Sequence, residues 1–321
     1  MNQILINKLQ QLILSAHKIL IVTHSKPDGD ALGSSLAFSK FLDALGKENS
    51  IFSLGPIPNS ANFLPGRRKI KSSFNEINLT DYALLAILDC GDLKQTDIEK
   101  NLSAIAPTVS IINIDHHQTN ENFGSVNIVD ALASSTAEII FNLFKELDFP
   151  VDKETATCLL TGLVTDTANF SNPATTFASL EAAGQLLSRG ANLGEISSNV
   201  LKNKSLSVLK FWGTILSRLT ENKKLGVVTT VITKEDLDLA NLNEEAFEGV
   251  TNFLNNLKGA KIVLVLKATE DGKIKGSFRT TTPGIDVSRL AKTFGGGGHA
   301  KAAGFTISGK LVKMDGGWKV E

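Results

Sequence analysis

No stretch of eighteen consecutive apolar residues occurs in the 321-residue sequence, so a membrane-spanning helix is not expected. The opening MNQILINKLQQLILSAHK sets polar residues into a helical period and lacks the apolar block of a secretory leader. A cytoplasmic protein is the expectation. Cysteine is scarce: Cys90 and Cys158 stand far apart with no CxxC spacing, which offers at most one bridge and excludes a disulfide scaffold. The net charge is formally zero, so the basic excess that accompanies tight binding of long nucleic acids is missing. One Tyr and two Trp supply few stacking platforms for a long single strand. Low-complexity tracts and internal repeats are absent as well.

What is present is a core. With 42% hydrophobic residues over 321 positions, the chain can bury two domains. Charge divides unevenly between them: residues 223–321 hold 15 Lys and Arg against 11 Asp and Glu, leaving 18 against 22 for residues 1–222. The acidic excess of the first part is of the size that two divalent cations would cancel.

Lys18 to Thr23 (KILIVT) is a short β-rich run, and Ala31 to Leu45 follows with helical periodicity and a closing Gly46. Ala83 to Leu88 and Thr108 to Ile114 are strands of the fully buried type, separated by a helix-compatible segment around Thr96 to Ala104. Strand, helix and strand in alternation predict a parallel α/β sheet, covered by the helical signal from Ser134 to about Gly190. Leu193 to Leu219 contains no Pro and reads as a connecting helix. Beyond it, Leu225 to Ile232, Lys261 to Ala268 and Lys273 to Arg279 read as strands, the last two joined by a Glu270-Asp271-Gly272 turn. Helices are predicted over Glu244 to Leu257 and Asp286 to Thr293. The fold class is α/β: a parallel-sheet N-terminal domain plus a smaller α/β C-terminal domain.

Polar groups gather at the ends of the predicted strands, where parallel sheets bind ligands. The first strand runs into His24-Ser25-Lys26-Pro27-Asp28-Gly29-Asp30, the second ends at Asp89 and the third at Asp115-His116-His117. Two carboxylates and an imidazole on one loop suit Mn²⁺ or a similar ion. Alone, the same loop reads equally as a turn with a helix N-cap. An EF-hand starting at Asp28 would place Ser39 where its twelfth-position Glu belongs. Asp166, in GLVTDTANF, sits among residues apolar enough to be core, where a lone carboxylate is costly. If these sites converge, four carboxylates share one cleft and repel unless cations neutralise them. His17 reads as a structural histidine, whereas His299 follows a run of four glycines. That run is either a flexible turn or a cradle of backbone amides for phosphate or ribose.

HSKPDGDALGS, ILDCGD, IDHHQTN and GLVTDT resemble the four motifs of the DHH-superfamily phosphoesterases, and the C-terminal stretch resembles the DHH-associated domain. KGSFRT, DVSRLAKTFGGGGHAKAAGF and the total length are most similar to the nanoRNase/pAp-phosphatase branch. The likeness covers nearly the whole chain. It implies a catalytic domain over 1–192, a helical linker over 193–222 and a substrate-binding domain over 223–321. It also implies two Mn²⁺ ions, one held by His24, Asp28 and Asp89, the other by Asp30, Asp89, His116 and Asp166, with Asp89 shared. His117 and Asp115 would then be the catalytic groups, either supporting the metal ligands from behind or standing on the phosphate side. Arg279, Gly296, Gly297, Gly298 and His299 would take substrate, in a cleft between domains.

The implied reaction is hydrolysis of short oligonucleotides (nanoRNA, dinucleotides), with pAp as a further candidate. Paired ions that activate water and clamp phosphoryl oxygens would drive it. The implied partners are short RNA or DNA oligonucleotides or nucleotide phosphates, with no membrane; a homodimer is left open. A RecJ-like exonuclease, a pyrophosphatase or polyphosphatase, and a catalytically silent nucleotide-binding regulator are the alternatives. Two positions depart from the pattern of close relatives. Ala168-Asn169-Phe170-Ser171 stands where Gly-Phe-Arg is common, and Gln95 where an arginine often follows the second motif.

Overall fold

The computed structural model describes the chain except for Met1, residues 103–108, and residues 203, 243, 248, 270, 299, 315 and 316. It divides into two compact units, Met1–Asn203 and Lys204–Glu321. Among the described residues no helix is long and apolar enough to cross a membrane.

The first unit opens with α1 (Gln3–Ser15), capped where the Asn2 side chain accepts from the Ile4 amide and buried along the stripe Ile6, Leu9 and Ile13. There follow β1 (Lys18–Val22), α2 (Gly29–Ala44), β2 (Glu48–Phe52), β3 (Ile70–Lys71), β4 (Leu84–Leu88), α3 (Glu99–Leu102), β5 (Ser110–Asp115) and β6 (Val126–Val129). Four helices complete it: α4 (Thr136–Glu146), α5 (Lys153–Asp166), α6 (Phe177–Ser188) and α7 (Leu193–Val200). The six strands form one sheet in the order β3-β2-β1-β4-β5-β6, every neighbouring pair parallel. Strand alternation feeds two cores. Ile19 and Ile21 of β1 join Leu84, Ala86 and Leu88 of β4 under the helices, while Leu20, Val22, Leu85 and Ile87 pack the opposite face with Leu79, Tyr82 and Ile98.

This strand order has its switch point between β1 and β4. From β1 the chain passes to β2 on one side, and it later returns to place β4 on the other, so a crevice opens at their carboxyl ends. Register aligns what lies there. Val22 pairs with Ile87, and Leu88 with Ile114, which brings His24, Asp89 and Asp115 into neighbouring positions just past the paired residues. Helix α5 reaches the crevice because glycine lets it lie almost on its neighbours. A Cβ on Gly33 of α2 would fall 2.3 Å from the Cys158 carbonyl oxygen, and one on Gly162 of α5 would fall 2.4 Å from Asp30 Oδ1.

The second unit consists of α8 (Leu206–Ser217), β7 (Thr220–Asn222), β8 (Val227–Ile232), α9 (Lys234–Ala240), α10 (Val250–Phe253), β9 (Ile262–Ala268), β10 (Lys273–Arg279), α11 (Val287–Thr293), β11 (Gly297–Gly298) and β12 (Ala302–Ser308). A hairpin of β13 (Leu311–Met314) and β14 (Gly317–Val320) follows. Its six-stranded sheet runs β11-β12-β10-β9-β8-β7, antiparallel except for the β8–β9 pair. One face packs Phe211, Ile215, Val263 and Val265, the other Phe278, Val287, Ala291 and Phe305.

Two stretches differ from the periodicity. Leu193 to Leu219 is two helices, not one: Ile196 of α7 is buried in the first unit's core, and Phe211 and Ile215 of α8 in the second unit's. The break falls where Ser205 caps α8 by accepting from the Val208 amide. Glu244 to Leu257 is likewise split, into 3₁₀ turns and α10, because Gly249 takes a φ of 90° that no helix continues through. The expected turn at 270–272 lies partly outside the described residues.

Candidate active site

Each chemistry-bearing side chain is placed by the end of a regular element. After β1 the chain turns through His24, whose carbonyl accepts from Ser53 Oγ at 2.9 Å, and reaches Asp28. Asp28 is the N-cap of α2, with Oδ1 accepting from the Asp30 and Ala31 amides at 3.0 and 3.1 Å. Asp30, one turn into the crevice, is fully buried. Its oxygens accept from the Thr136 and Ala137 amides at 2.6 and 2.9 Å and from Ser34 Oγ at 3.2 Å. Asp30 therefore satisfies the otherwise orphaned amides that open α4.

Asp89 follows β4 in the left-handed region, φ 58°, a conformation aspartate tolerates better than most residues. Its amide still bonds the Ile114 carbonyl at 3.0 Å. Its side chain is 3% exposed, and Oδ1 accepts from Thr136 Oγ1 at 2.9 Å. Around it stand His24 Nε2 at 3.6 Å, His116 Nε2 at 3.6 Å and His117 Nδ1 at 3.9 Å. Asp166, the last residue of α5, lies with Oδ2 3.1 Å from His116 Nε2. His117 turns Nδ1 onto Asp115 Oδ1 at 2.7 Å.

Three overlapping donor sets result, each with its ligand atoms within 4.8 Å of one another: His24, Asp28 and Asp89; Asp30, His116 and Asp166; and Asp89, His116 and His117. Asp89 and His116 belong to two sets apiece. All eight first-unit residues singled out in the sequence thus meet at one crevice.

The electrostatics are those of a crowded acidic pocket. Burial, with Asp89 and Asp166 nearby, pushes the Asp30 carboxyl well above the ordinary carboxylate range. Burial likewise raises Asp166 to about 6, the contact with His116 opposing it only in part. For Asp89 burial also works upward, but the imidazoles of His24, His116 and His117 outweigh it and hold the carboxyl below its ordinary value. Burial would lower the histidines, yet bonding to Asp89 lifts His24 to about 9 and bonding to Asp166 lifts His116 to about 10. Carboxylate and imidazole donors in this number suit hard or borderline divalent ions.

Four contributors were not legible as site residues: Thr136, which donates to Asp89; Gly162, whose missing Cβ makes room for Asp30; and Asn113 with Asn120, of which Asn120 Nδ2 donates to Asn113 Oδ1 at 2.8 Å and to Asp115 Oδ2 at 2.6 Å. Gln95 braces the two loops instead of carrying charge. Its side chain accepts from the Gly91 amide at 3.0 Å and its carbonyl from the Ser25 amide at 2.9 Å. After Asp166, residues Ala168, Asn169 and Phe170 all adopt positive φ (49°, 58° and 59°). This left-handed turn is clasped by the Asn169 amide on the Val164 carbonyl at 2.7 Å and by Asn172 Nδ2 on the Asp166 carbonyl at 2.7 Å.

In the second unit Arg279 ends β10 opposite Ala302, and Gly298 pairs with Ala303, so both flank the same end of β12. The glycines there have a packing cause. A Cβ on Gly296 would fall 2.1 Å from the Gly304 carbonyl oxygen, and one on Gly298 2.6 Å from that of Ala302. His299 lies outside the described residues.

An N-terminal parallel sheet with histidines and aspartates at its strand ends, followed by a second sheet domain, is matched by two family descriptions. "DHH family, N-terminal domain" covers residues 18–163 and "DHHA1 domain" residues 222–315. The chain belongs to the DHH family of phosphoesterases, and its class is that of the hydrolases acting on phosphate esters. It is 32% identical to the "Bifunctional oligoribonuclease and PAP phosphatase NrnA" of Thermus thermophilus, over 91% of this chain and 84% of that one. To the protein of the same name in Bacillus subtilis it is 28% identical, over 90% and 89%. Among solved structures it is similar to an exopolyphosphatase-related protein from Bacteroides fragilis, with TM-score 0.90 and 29% identity, over 96% of this chain and 92% of that one.

Proposed function

We propose that this chain hydrolyses the phosphate esters of very short nucleotides, nanoRNA fragments and dinucleotides, and pAp, with two divalent cations held in the crevice of the first unit. The observation that carries the reading is that Asp89, which closes a donor set with His24 and Asp28, stands 3.6 Å from His116, which closes another with Asp30 and Asp166. His24, Asp28 and Asp89 hold one ion, and Asp30, Asp89, His116 and Asp166 the other, with Mn²⁺ the favoured identity. When bound, the pair supplies an activated water and a clamp on the phosphoryl oxygens.

The chain's own residues do the rest. Asp115 orients His117 through Nδ1, and the imidazole faces the scissile phosphate and steadies charge on the leaving oxygen. The second unit takes substrate. Arg279 offers a guanidinium suited to paired bonds with phosphate, and Gly296–Gly298 bring half-buried to exposed backbone to the same end of β12. Preference for short substrates is supported by the zero net charge of the chain, which supplies no long basic track, and by the activities in the names of the relatives.

The test is a turnover panel with Mn²⁺ over pAp, dinucleotides, five-mers, long single strands and pyrophosphate. The short nucleotides should be cleaved fastest per molecule, and chelation should abolish cleavage. Processive digestion of long strands would favour an exonuclease, pyrophosphate turnover a pyrophosphatase, and binding without turnover a silent regulator. Asp89→Ala should be folded and inactive; full activity in it would sink the two-ion assignment.

A further inference from the structure

Asn113 is an amide in the middle of a central strand whose neighbours Ile112 and Ile114 are fully buried. A polar group there is costly unless every bonding capacity is met. It is met. Asn113 Nδ2 donates to the Ile87 and Cys90 carbonyls at 3.3 and 3.1 Å, which commits both its hydrogens and leaves Oδ1 as an acceptor. Into Oδ1 comes Asn120 Nδ2 at 2.8 Å. The orientation of Asn120 is fixed from its other end, because its Oδ1 accepts from the Asn122 amide at 2.7 Å. The nitrogen of Asn120 must therefore face inward, where it also donates to Asp115 Oδ2 at 2.6 Å. Asp115 lies on the same strand face as Asn113, two residues along, and is fully buried. With Oδ2 taken by Asn120, Oδ1 is the oxygen that meets His117 Nδ1 at 2.7 Å. Donation thus starts at Asn120, which gives inward to Asn113 and outward to Asp115, and Asp115 accepts on one oxygen from Asn120 and on the other from His117.

We infer that Asn120, aimed by Asn113, is a positioning residue that holds Asp115 so that His117 keeps one ring orientation with the proton on Nδ1. This rests on the reading of His117 as the group beside the scissile phosphate. Asn120 Nδ2 also approaches the Cys90 carbonyl at 3.3 Å, and its effect on turnover is assigned to the Asp115–His117 pair. Removing such a support costs on the order of 10- to 100-fold in activity.

The experiment uses the full-length protein loaded with Mn²⁺ and one dinucleotide. Asn120→Ala removes the donor. Asn120→Asp keeps the shape but sets an oxygen against Asp115 Oδ2, so a defect shared by both variants reports lost donation and not lost packing. Each is expected to lower kcat about tenfold or more, with KM and Mn²⁺ content near parental. In a His117→Ala background the same changes should cost nothing further, because the residue they act through is gone. Equal losses in both backgrounds, loss of metal, or unchanged kcat in either single variant would overturn the inference.

A second readout needs no turnover. The His117 Nδ1–H resonance, assigned by its disappearance in His117→Ala, should exchange with water at least tenfold faster in both Asn120 variants, and equal exchange would also overturn the proposal. If the parent cleaves no dinucleotide while this resonance responds as expected, the functional reading fails and the positioning role stands.

Discussion

Gly162 sits where three helices converge on Asp30, and replacing it by alanine tests whether that convergence builds the site. The added carbon would lie 2.4 Å from Asp30 Oδ1 and 2.6 Å from Ala137 Cβ, against 3.4–4 Å for ordinary contact. The gap must open by about 1 Å on both sides. Neither neighbour is a flexible tip, since Asp30 is pinned by the Thr136 and Ala137 amides and Ala137 belongs to α4. Overpacking of this kind costs ~1–3 kcal/mol, while glycine to alanine inside a helix returns roughly 0.5–1 kcal/mol. A net loss of up to about 2.5 kcal/mol follows. Because the strain falls on Asp30, Mn²⁺ should bind about tenfold more weakly or worse. Gly184 of α6 is the control: it is exposed and nothing would meet its Cβ within 4 Å, so Gly184→Ala should gain roughly 0.5–1 kcal/mol with unchanged ion binding. Urea midpoints at constant slope and calorimetric Mn²⁺ titration read both effects. A Gly162→Ala protein as stable as Gly184→Ala and binding Mn²⁺ like the parent would refute the reasoning.

Stripped of divalent ions, the protein should lose stability as pH rises. Asp166 is raised from 3.8 to about 6, so its contribution is complete below pH 3.8 and lost as pH rises through 6. His24 and His116, raised from 6.5 to about 9 and about 10, contribute fully below pH 6.5 and lose it towards pH 10. Melting in chelator between pH 4 and 10 should show the decline and saturating Mn²⁺ should suppress it; a flat or rising profile in chelator would contradict the assignment. Ala168→Gly should stabilise the fold by about 1 kcal/mol by relieving a left-handed alanine, measured by denaturant midpoint, and no gain would mean that the turn carries no strain. Arg279→Ala should raise KM for a dinucleotide and leave metal content parental; lost metal or unaltered kinetics would remove its proposed role.

Much of the crevice was legible because position and chemistry coincide in a parallel sheet. His24, Asp89 and Asp115 each follow an apolar strand, and a polar group there faces the ligand side whatever the fold's details. Asp166 was legible by contrast, as a carboxylate in an apolar helix. Asn113 offered the same kind of signal, a lone amide in TVSIINI, but an amide has no charge to demand a partner and nothing local points to Asn120. Thr136 and Gly162 act through contacts between helices far apart in the chain, and no periodicity reports those. The second unit was harder to read. Its helices are short, Gly249 interrupts one of them, and the division of 193–219 between two cores depends on which partner each half finds.

The donors of the crevice come from residues 24–30, 89, 116–117 and 166, carried by β1, α2, β4, β5 and α5. One donor set closes within residues 24–89, but the second needs Asp30, His116 and Asp166, so the pair of sets exists only once all these elements are docked. An ion gripped by it lowers the free energy of the finished fold and of little that precedes it. Its weight therefore falls on the rate of unfolding and leaves the rate of folding nearly untouched. On the proposed two-ion reading, occupancy of the crevice would also be a clock, setting how long a folded molecule survives heat and proteolysis before it opens.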